Sequence, residues 1–126
     1  MYPEDRSYSK EHEWLKSEGE QYILGITEFA QEELGDVVFV ELPEVGQRFE
    51  AHAEIGTIES VKAVAELYTP VAGEIVAINE KVVDAPELLN EDPHGEGWLV
   101  RLRPAAEDQA TLMSAADYQE LIAAGV

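Results

Sequence analysis

Between Gly46 and Asn79 the sequence breaks into four short strand patterns, Arg48–Ala53, Glu54–Glu59, Ala65–Thr69 and Gly73–Asn79, with Pro70 and Gly73 marking a turn. Apolar residues at Ile55, Ile58, Val61, Val64 and Leu67 are roughly mirrored about one position, Lys62. This arrangement predicts two similar strand pairs meeting at a hairpin, about residues 54–69, whose tip carries Lys62.

The flanking sequence extends a β-rich pattern. His12–Leu15 and Gln21–Ile26 read as two strands joined by a turn at Ser17-Glu18-Gly19. Thr27 stands where an N-cap belongs, Glu28–Leu34 reads as a short helix, and Gly35 stops it. A strand over Val37–Leu42 ends at Pro43, a single helical turn is expected at Pro86–Leu89, and Gly97–Leu102 is the last strand. The C-terminal region, about 105–125, is expected to be helical; Ser114 and Asp117 form a capping box, Tyr118, Leu121 and Ile122 an apolar stripe. The fold class expected is α+β, mainly β, over a single domain, 1–126. Its core is expected to be a flattened two-sheet sandwich, with an N-terminal hairpin, a short helix and C-terminal helices around it. Trp14, Trp98, Phe39 and Tyr22 are expected in the core.

Charge and composition narrow the function. Twenty-seven acidic residues against eight basic ones give a net charge of −19, which repels nucleic acid and anionic membrane surfaces and suits basic protein surfaces or cationic small molecules. The same charge also serves solubility alone. No apolar run approaches the roughly 20 residues of a membrane span, and Met1–Arg6 has neither a signal-peptide nor a transit-peptide pattern. The absence of cysteine excludes disulfides, thiolate metal sites and a protein thiol nucleophile.

No catalytic motif survives inspection. His12-Glu13 lacks the second histidine of a zinc-protease helix, because Lys16 stands in its place. Asn90–Arg101 has a glycine at the sixth position of a calcium loop but arginine where the bidentate glutamate belongs. Ser60 has no nucleophile-elbow sequence, and no acid–base carboxylate pair stands out among so many. The expectation is no catalytic residue, no metal and no enzyme activity of its own.

Lys62 is distinctive by isolation. From Glu50 to Glu74 it is the one lysine, among five glutamates and no arginine. A lone amine on a rigid hairpin tip, with small neighbours Ser60 and Ala63, is accessible to a modifying enzyme; a solvated turn lysine has the same local pattern.

The motif Glu59-Ser60-Val61-Lys62-Ala63 resembles the lipoylation motif of the glycine cleavage system H-protein family. His12-Glu13-Trp14, Gly25-Ile26-Thr27, Ala30-Gln31, Leu34–Pro43, Pro70–Glu74, Asn90, Asp92-Pro93 and Gly97-Trp98 resemble it too, in the family's order and spacing. The likeness runs from about Tyr8 to the C-terminal helix. Biotinyl domains differ in placing methionines beside the lysine; lipoyl domains of 2-oxo acid dehydrogenases differ in having aspartate before it. Departures from the pattern are His94, where the family commonly has tyrosine, and Phe29 and Val64, where relatives are often polar.

The resemblance implies that the sandwich is of the lipoyl/biotinyl type (a barrel-sandwich hybrid) and that lipoic acid is bound covalently to Lys62, one per chain. It implies an arm that serves glycine decarboxylase (P-protein), aminomethyltransferase (T-protein) and dihydrolipoyl dehydrogenase (L-protein) in turn. Lipoylating enzymes are a further partner class; the carrier is expected to be a monomer, in a prokaryotic cytoplasm or, after processing, in a mitochondrion. Glu13 and Glu66 correspond to acidic positions lining the arm's resting groove, where they would attract the ammonium of a loaded arm. Glu59 and Glu54 are candidates for recognition by the lipoylating enzyme. Two alternatives stay open: a lipoyl or octanoyl relay carrier in lipoate metabolism, and an unmodified acidic interaction module.

Overall fold

The computed structural model describes residues 2–105 and 112–124. Its larger sheet contains β1 (Ser7–Tyr8), β2 (Glu13–Glu18), β3 (Gln21–Ile26), β5 (Arg48–Phe49), β8 (Gly73–Ile78) and β9 (Val100–Pro104), and its smaller sheet β4 (Val37–Glu41), β6 (Glu54–Ser60) and β7 (Val64–Tyr68). The strand orders are β1-β2-β3-β9-β8-β5 and β4-β6-β7, and every pairing is antiparallel. Among the described residues the helices are α1 (Glu28–Leu34), α2 (Glu80–Asp84), α3 (Leu88–Glu91) and α4 (Ala115–Ala123).

The two sheets meet face to face over Leu24, Val40, Ile58, Leu67, Ile75 and Leu102, all at most 2% exposed, and at its β1–β3 end the larger sheet is buried on its other face as well. A second cluster, Tyr8, Trp14, Ile23 and Tyr118, lies beneath α4. Tyr8 and Tyr118 stack there with centroids 5.0 Å apart.

Local signals hold where they are strong. The Thr27 hydroxyl accepts from the Ala30 amide at 3.2 Å, Gly35 ends α1 with φ +79°, and Ser114 accepts from the Asp117 amide at 3.2 Å. The β2–β3 register places the turn at Gly19-Glu20, with Gly19 at φ +65° where a two-residue hairpin favours glycine.

Several expectations change. The N-terminal hairpin is not an appendage: β3 pairs with β9, so the hairpin continues the larger sheet. β5 stops at Phe49 because the chain turns through Ala51 and His52, the latter at φ +69°. Helix α2, capped by Asn79, was not expected, and the helical turn after Pro86 falls at Leu88–Glu91. Met113 bridges to Tyr8 in β fashion, and α4 begins at Ala115; residues 106–111 of the expected helical region lie outside the described residues. Phe39 is not core. A bulge between Val37 and Phe39 breaks the alternation and turns both Val38 and Phe39 outward, leaving them 55% and 48% exposed.

Candidate functional site

Lys62 lies in the loop between β6 and β7, beyond the last cross-strand pair Glu59↔Val64. Ser60 organises that loop. Its hydroxyl oxygen accepts from the Ala63 amide at 3.0 Å and the Lys62 amide at 3.3 Å, while the Ser60 amide donates to the Ala63 carbonyl at 2.8 Å. The Val61 amide donates to the Asp36 carbonyl at 3.0 Å, tying the tip to the segment after α1. Serine at this position is therefore required by the turn: its side chain occupies two loop amides that would otherwise be free.

The stem of Lys62 lies over Gly35, its Cε 3.3 Å from the position a Cβ on Gly35 would occupy. The residue beneath the lysine is thus one with no side chain. Asn90, on α3, fixes this floor. Its Nδ2 donates to the Gly35 carbonyl at 2.8 Å and to Gln31 Oε1 at 2.9 Å, and its Oδ1 accepts from the Val37 amide at 2.9 Å. Among the described residues Lys62 enters no salt bridge, and it is exposed.

Beside this hairpin runs an open groove of about 280 Å³. One wall is the face of α1 formed by Phe29, Ala30, Glu33 and Leu34; the other includes Ile58, Ala65 and Glu66 of the hairpin. Its far end is made by Glu11, His12 and Glu13. Thr27, at the start of α1, donates its amide to the His12 carbonyl, whereas Gly35 at the other end of α1 lies under Lys62. The groove therefore leads from the lysine along the helix to the Glu13 end.

Glu13 and Glu66, 53 residues apart in sequence, both line this groove. Glu13 is 2% exposed, accepting from the Ser9 hydroxyl at 3.0 Å and the Tyr68 amide at 3.2 Å. Burial pushes its carboxyl up to about 7, against those two hydrogen bonds and with help from the Glu11 charge. Glu66 is exposed.

The other motif residues have distinct places. Val61 and Ala63 are exposed at the tip, and Glu59 is half-buried on β6 opposite Val64. Glu54 lies at the opposite end of β6, about 20 Å from the tip at the rise of a β-strand, so it is not grouped with Lys62. Val61 and Val64 are 70% and 62% exposed; with Val38 and Phe39 they put bare apolar surface around the lysine.

Glu11, His12 and Glu33 belong to the groove but were not singled out for it in the sequence. The signal that could have found Glu33 is helical spacing, since Phe29, Ala30, Glu33 and Leu34 fall on one face of α1. His12 and Glu11 carry no such signal, because only the contact of the β1–β2 loop with the start of α1 brings them there. No group of three histidine, aspartate or glutamate residues with metal-binding geometry occurs among the described residues.

Residues 6–124 match the family model described as glycine cleavage H-protein. The chain is 52% identical over 121 residues to a probable glycine cleavage system H protein of Natronomonas pharaonis, with 96% of each chain covered. It is 55% identical over 120 residues to the glycine cleavage system H protein of Herpetosiphon aurantiacus, covering 95% of this chain and 92% of that one. Its fold matches the crystal structure of a glycine cleavage system H protein from Mycobacterium marinum with a TM-score of 0.91 and 40% identity, covering 97% and 99% of the two chains.

Proposed function

The chain belongs to the glycine cleavage H-protein family, and from that membership we propose that Lys62 is the residue that bears its lipoyl group. Proteins of this family are lipoyl carriers of the glycine cleavage system, and this protein is a carrier and not itself a catalyst. The observation that carries the assignment to Lys62 is the exposed amine over the bare face of Gly35, at the head of a groove that ends in a buried carboxylate.

The residues fit such a group. Lys62 offers a free amine for an amide bond, Ser60 holds the loop around it, and Leu34, Ile58 and Ala65 give the groove apolar walls for an acyl chain. From Gly35 back to Thr27 is eight helical steps, about 12 Å; a lipoyl-lysine, roughly 14 Å by standard bond lengths, is long enough to follow it. When bound, lipoate would supply a disulfide that takes the aminomethyl unit of glycine on one sulfur as the other becomes a thiol, and that is left as a dithiol once the unit is removed. Glu13 and Glu66 then face a cationic cargo and hold its ammonium against the protein. Tethering converts encounters with the successive enzymes into effectively concentrated ones. Those enzymes are the decarboxylase, the aminomethyltransferase and the dihydrolipoyl dehydrogenase, with a lipoylating enzyme acting first. No helix among the described residues is long and apolar enough to cross a membrane, and a cytoplasmic setting suits these partners.

Intact mass measurement with peptide mapping tests the assignment. One lipoyl increment on the peptide containing Lys62, absent in Lys62→Arg, is expected. An unmodified Lys62 in cells that lipoylate their other proteins overturns it and favours the interaction-module reading. Modification without turnover by glycine decarboxylase favours the relay-carrier reading.

A further inference from the structure

His12 forms part of the groove wall with a backbone that few non-glycine residues adopt, φ +69°. Two hydrogen bonds hold it there: its amide donates to the Ser9 carbonyl and its carbonyl accepts from the Thr27 amide, both at 3.1 Å. Its ring lies 4.7 Å from that of Phe29, and its Nδ1 is 2.7 Å from the Tyr118 hydroxyl.

The direction of that last hydrogen bond follows from a chain of hydroxyls. Thr27 is fully buried, and among the described residues its Oγ1 has two partners, the Ala30 amide at 3.2 Å and the Tyr118 hydroxyl at 2.7 Å. The amide can only donate, so of these two partners only the Tyr118 oxygen can take the Thr27 hydrogen, and a buried hydroxyl with its hydrogen satisfied requires that direction. Tyr118, fully buried as well, is left with His12 Nδ1 as the acceptor for its own hydrogen. A ring nitrogen that accepts carries no proton, and a neutral imidazole then has its hydrogen on Nε2. Burial lowers the His12 pKa from its ordinary value, against the pull of Glu11 and Glu33, so the neutral ring is the form present at pH 7.

We propose that the Thr27–Tyr118–His12 chain fixes His12 as its Nε2–H tautomer, so that the ring meets the groove as a hydrogen-bond donor and cannot act there as a base. This deepens the carrier reading and rests on it, since the groove's His12 end is where a cationic cargo would arrive. Nδ1 is committed to the buried Tyr118, so Nε2 is the ring nitrogen left to meet the groove that His12 lines. The charged and titratable groups around the groove are Glu11, Glu13, Glu33 and Glu66, so an Nε2–H has acceptors on several sides.

The chemical reason to exclude a base is specific. An unprotonated nitrogen facing the cargo would remove a proton from its ammonium. The freed lone pair would form a C=N bond as the carbon–sulfur bond breaks, with the bonding pair leaving on sulfur as thiolate. Water addition would then yield formaldehyde and ammonia. A ring already protonated at Nε2 cannot start that sequence, and the carboxylates around the cargo are weakened as bases because its ammonium favours their ionised form.

The test begins on the unmodified chain, ¹⁵N-labelled at histidine, with long-range ¹H–¹⁵N correlation at pH 7. The expected spectrum for His12 is the Nε2–H pattern; an Nδ1–H pattern or an imidazolium overturns the proposal, whatever the variants do. Tyr118→Phe, which keeps the ring and removes the hydroxyl, is expected to give a mixture of tautomers. In the lipoylated, loaded protein it should raise the rate of formaldehyde release about tenfold, below the ~10²–10⁴ of a well-placed general base. The added rate should rise with pH through the histidine range, and Glu13, common to both proteins, cancels in the difference. Thr27→Ser should retain the native tautomer and rate. A changed tautomer with an unchanged release rate overturns the protective role. Because the spectrum needs no lipoyl group, its outcome is independent of whether mass mapping finds the modification on Lys62.

Discussion

Lys62 Cε lies 3.3 Å from where a Gly35 Cβ would be, so the lysine stem and the glycine's bare face are a packed pair. Gly35 is also at φ +79°, ψ −154°, a region essentially confined to glycine. Gly35→Ala should therefore lose about 1–3 kcal/mol of stability, seen in urea midpoints. It should also displace the lysine stem, lowering the initial rate of enzymatic lipoylation in protein that remains folded. A rate equal to that of the parent would show that the floor beneath Lys62 does not position it.

Asn90 supports the same floor from α3 by three hydrogen bonds, two to Gly35 and Val37 where α1 passes into β4 and one to Gln31 of α1. Asn90→Ala leaves the Val37 amide and the Gly35 carbonyl without those partners, and a cost of about 2–3 kcal/mol is expected. Amide hydrogen exchange should report it locally, with faster exchange at Val37 and Val61, because the Val61 amide is bound to Asp36 in the same connection. Unchanged exchange at both would mean that the connection is held by other contacts.

The signals legible in the sequence were local ones. Thr27 and Gly35 bracket α1 through cap chemistry, and the mirrored strands predict a hairpin with Lys62 at its tip. The inner residues of that mirror, Ile55, Ile58 and Leu67, are buried, while Val61 and Val64 are exposed because they lie at the tip, beyond the sandwich. Helix α2 was illegible: Glu80-Lys81-Val82-Val83-Asp84 is a single turn or so, and two adjacent valines suit a strand as well. Phe39 misled because alternation cannot reveal a bulge. The groove needed tertiary structure. Glu13 and Glu66 were assigned to the groove by family likeness, but the places of His12, Glu11 and Glu33 in it show only once the β1–β2 loop meets α1.

Glu13 should make stability depend on pH. Its folded pKa, about 7, lies above the ordinary 4.5, so the fold prefers the neutral carboxyl. That preference stabilises fully below about pH 4.5 and is lost as pH rises through about 7, where the buried charge is fully formed. Other carboxylates titrate in the same window, so the informative quantity is a difference. Between pH 5 and pH 8 the unmodified Glu13→Gln variant should gain about 2–3 kcal/mol relative to the parent in urea unfolding. A constant difference would mean that Glu13 ionises at its ordinary pKa.

Glu13 and Glu66 line one groove but should contribute unequally to holding a cationic cargo. Glu66 is exposed, and an exposed ion pair is worth about 0–1 kcal/mol, so Glu66→Gln should speed loss of the cargo by no more than about fivefold. Glu13 is buried and already fixed by Ser9 and Tyr68, so its charge is little screened and loses no side-chain freedom on meeting the ammonium. Charge-assisted hydrogen bonds of that kind contribute about 1.5–3 kcal/mol, or roughly ten- to a hundredfold in rate for Glu13→Gln. The ammonium also favours the ionised carboxylate, so the retention due to Glu13, read as the ratio of the Glu13→Gln release rate to that of the parent at the same pH, should grow from pH 6 to pH 8. The readout is formaldehyde release from loaded protein at several pH values. A Glu66→Gln effect equal to or larger than that of Glu13→Gln would place the ammonium at the open mouth of the groove and not at its buried end.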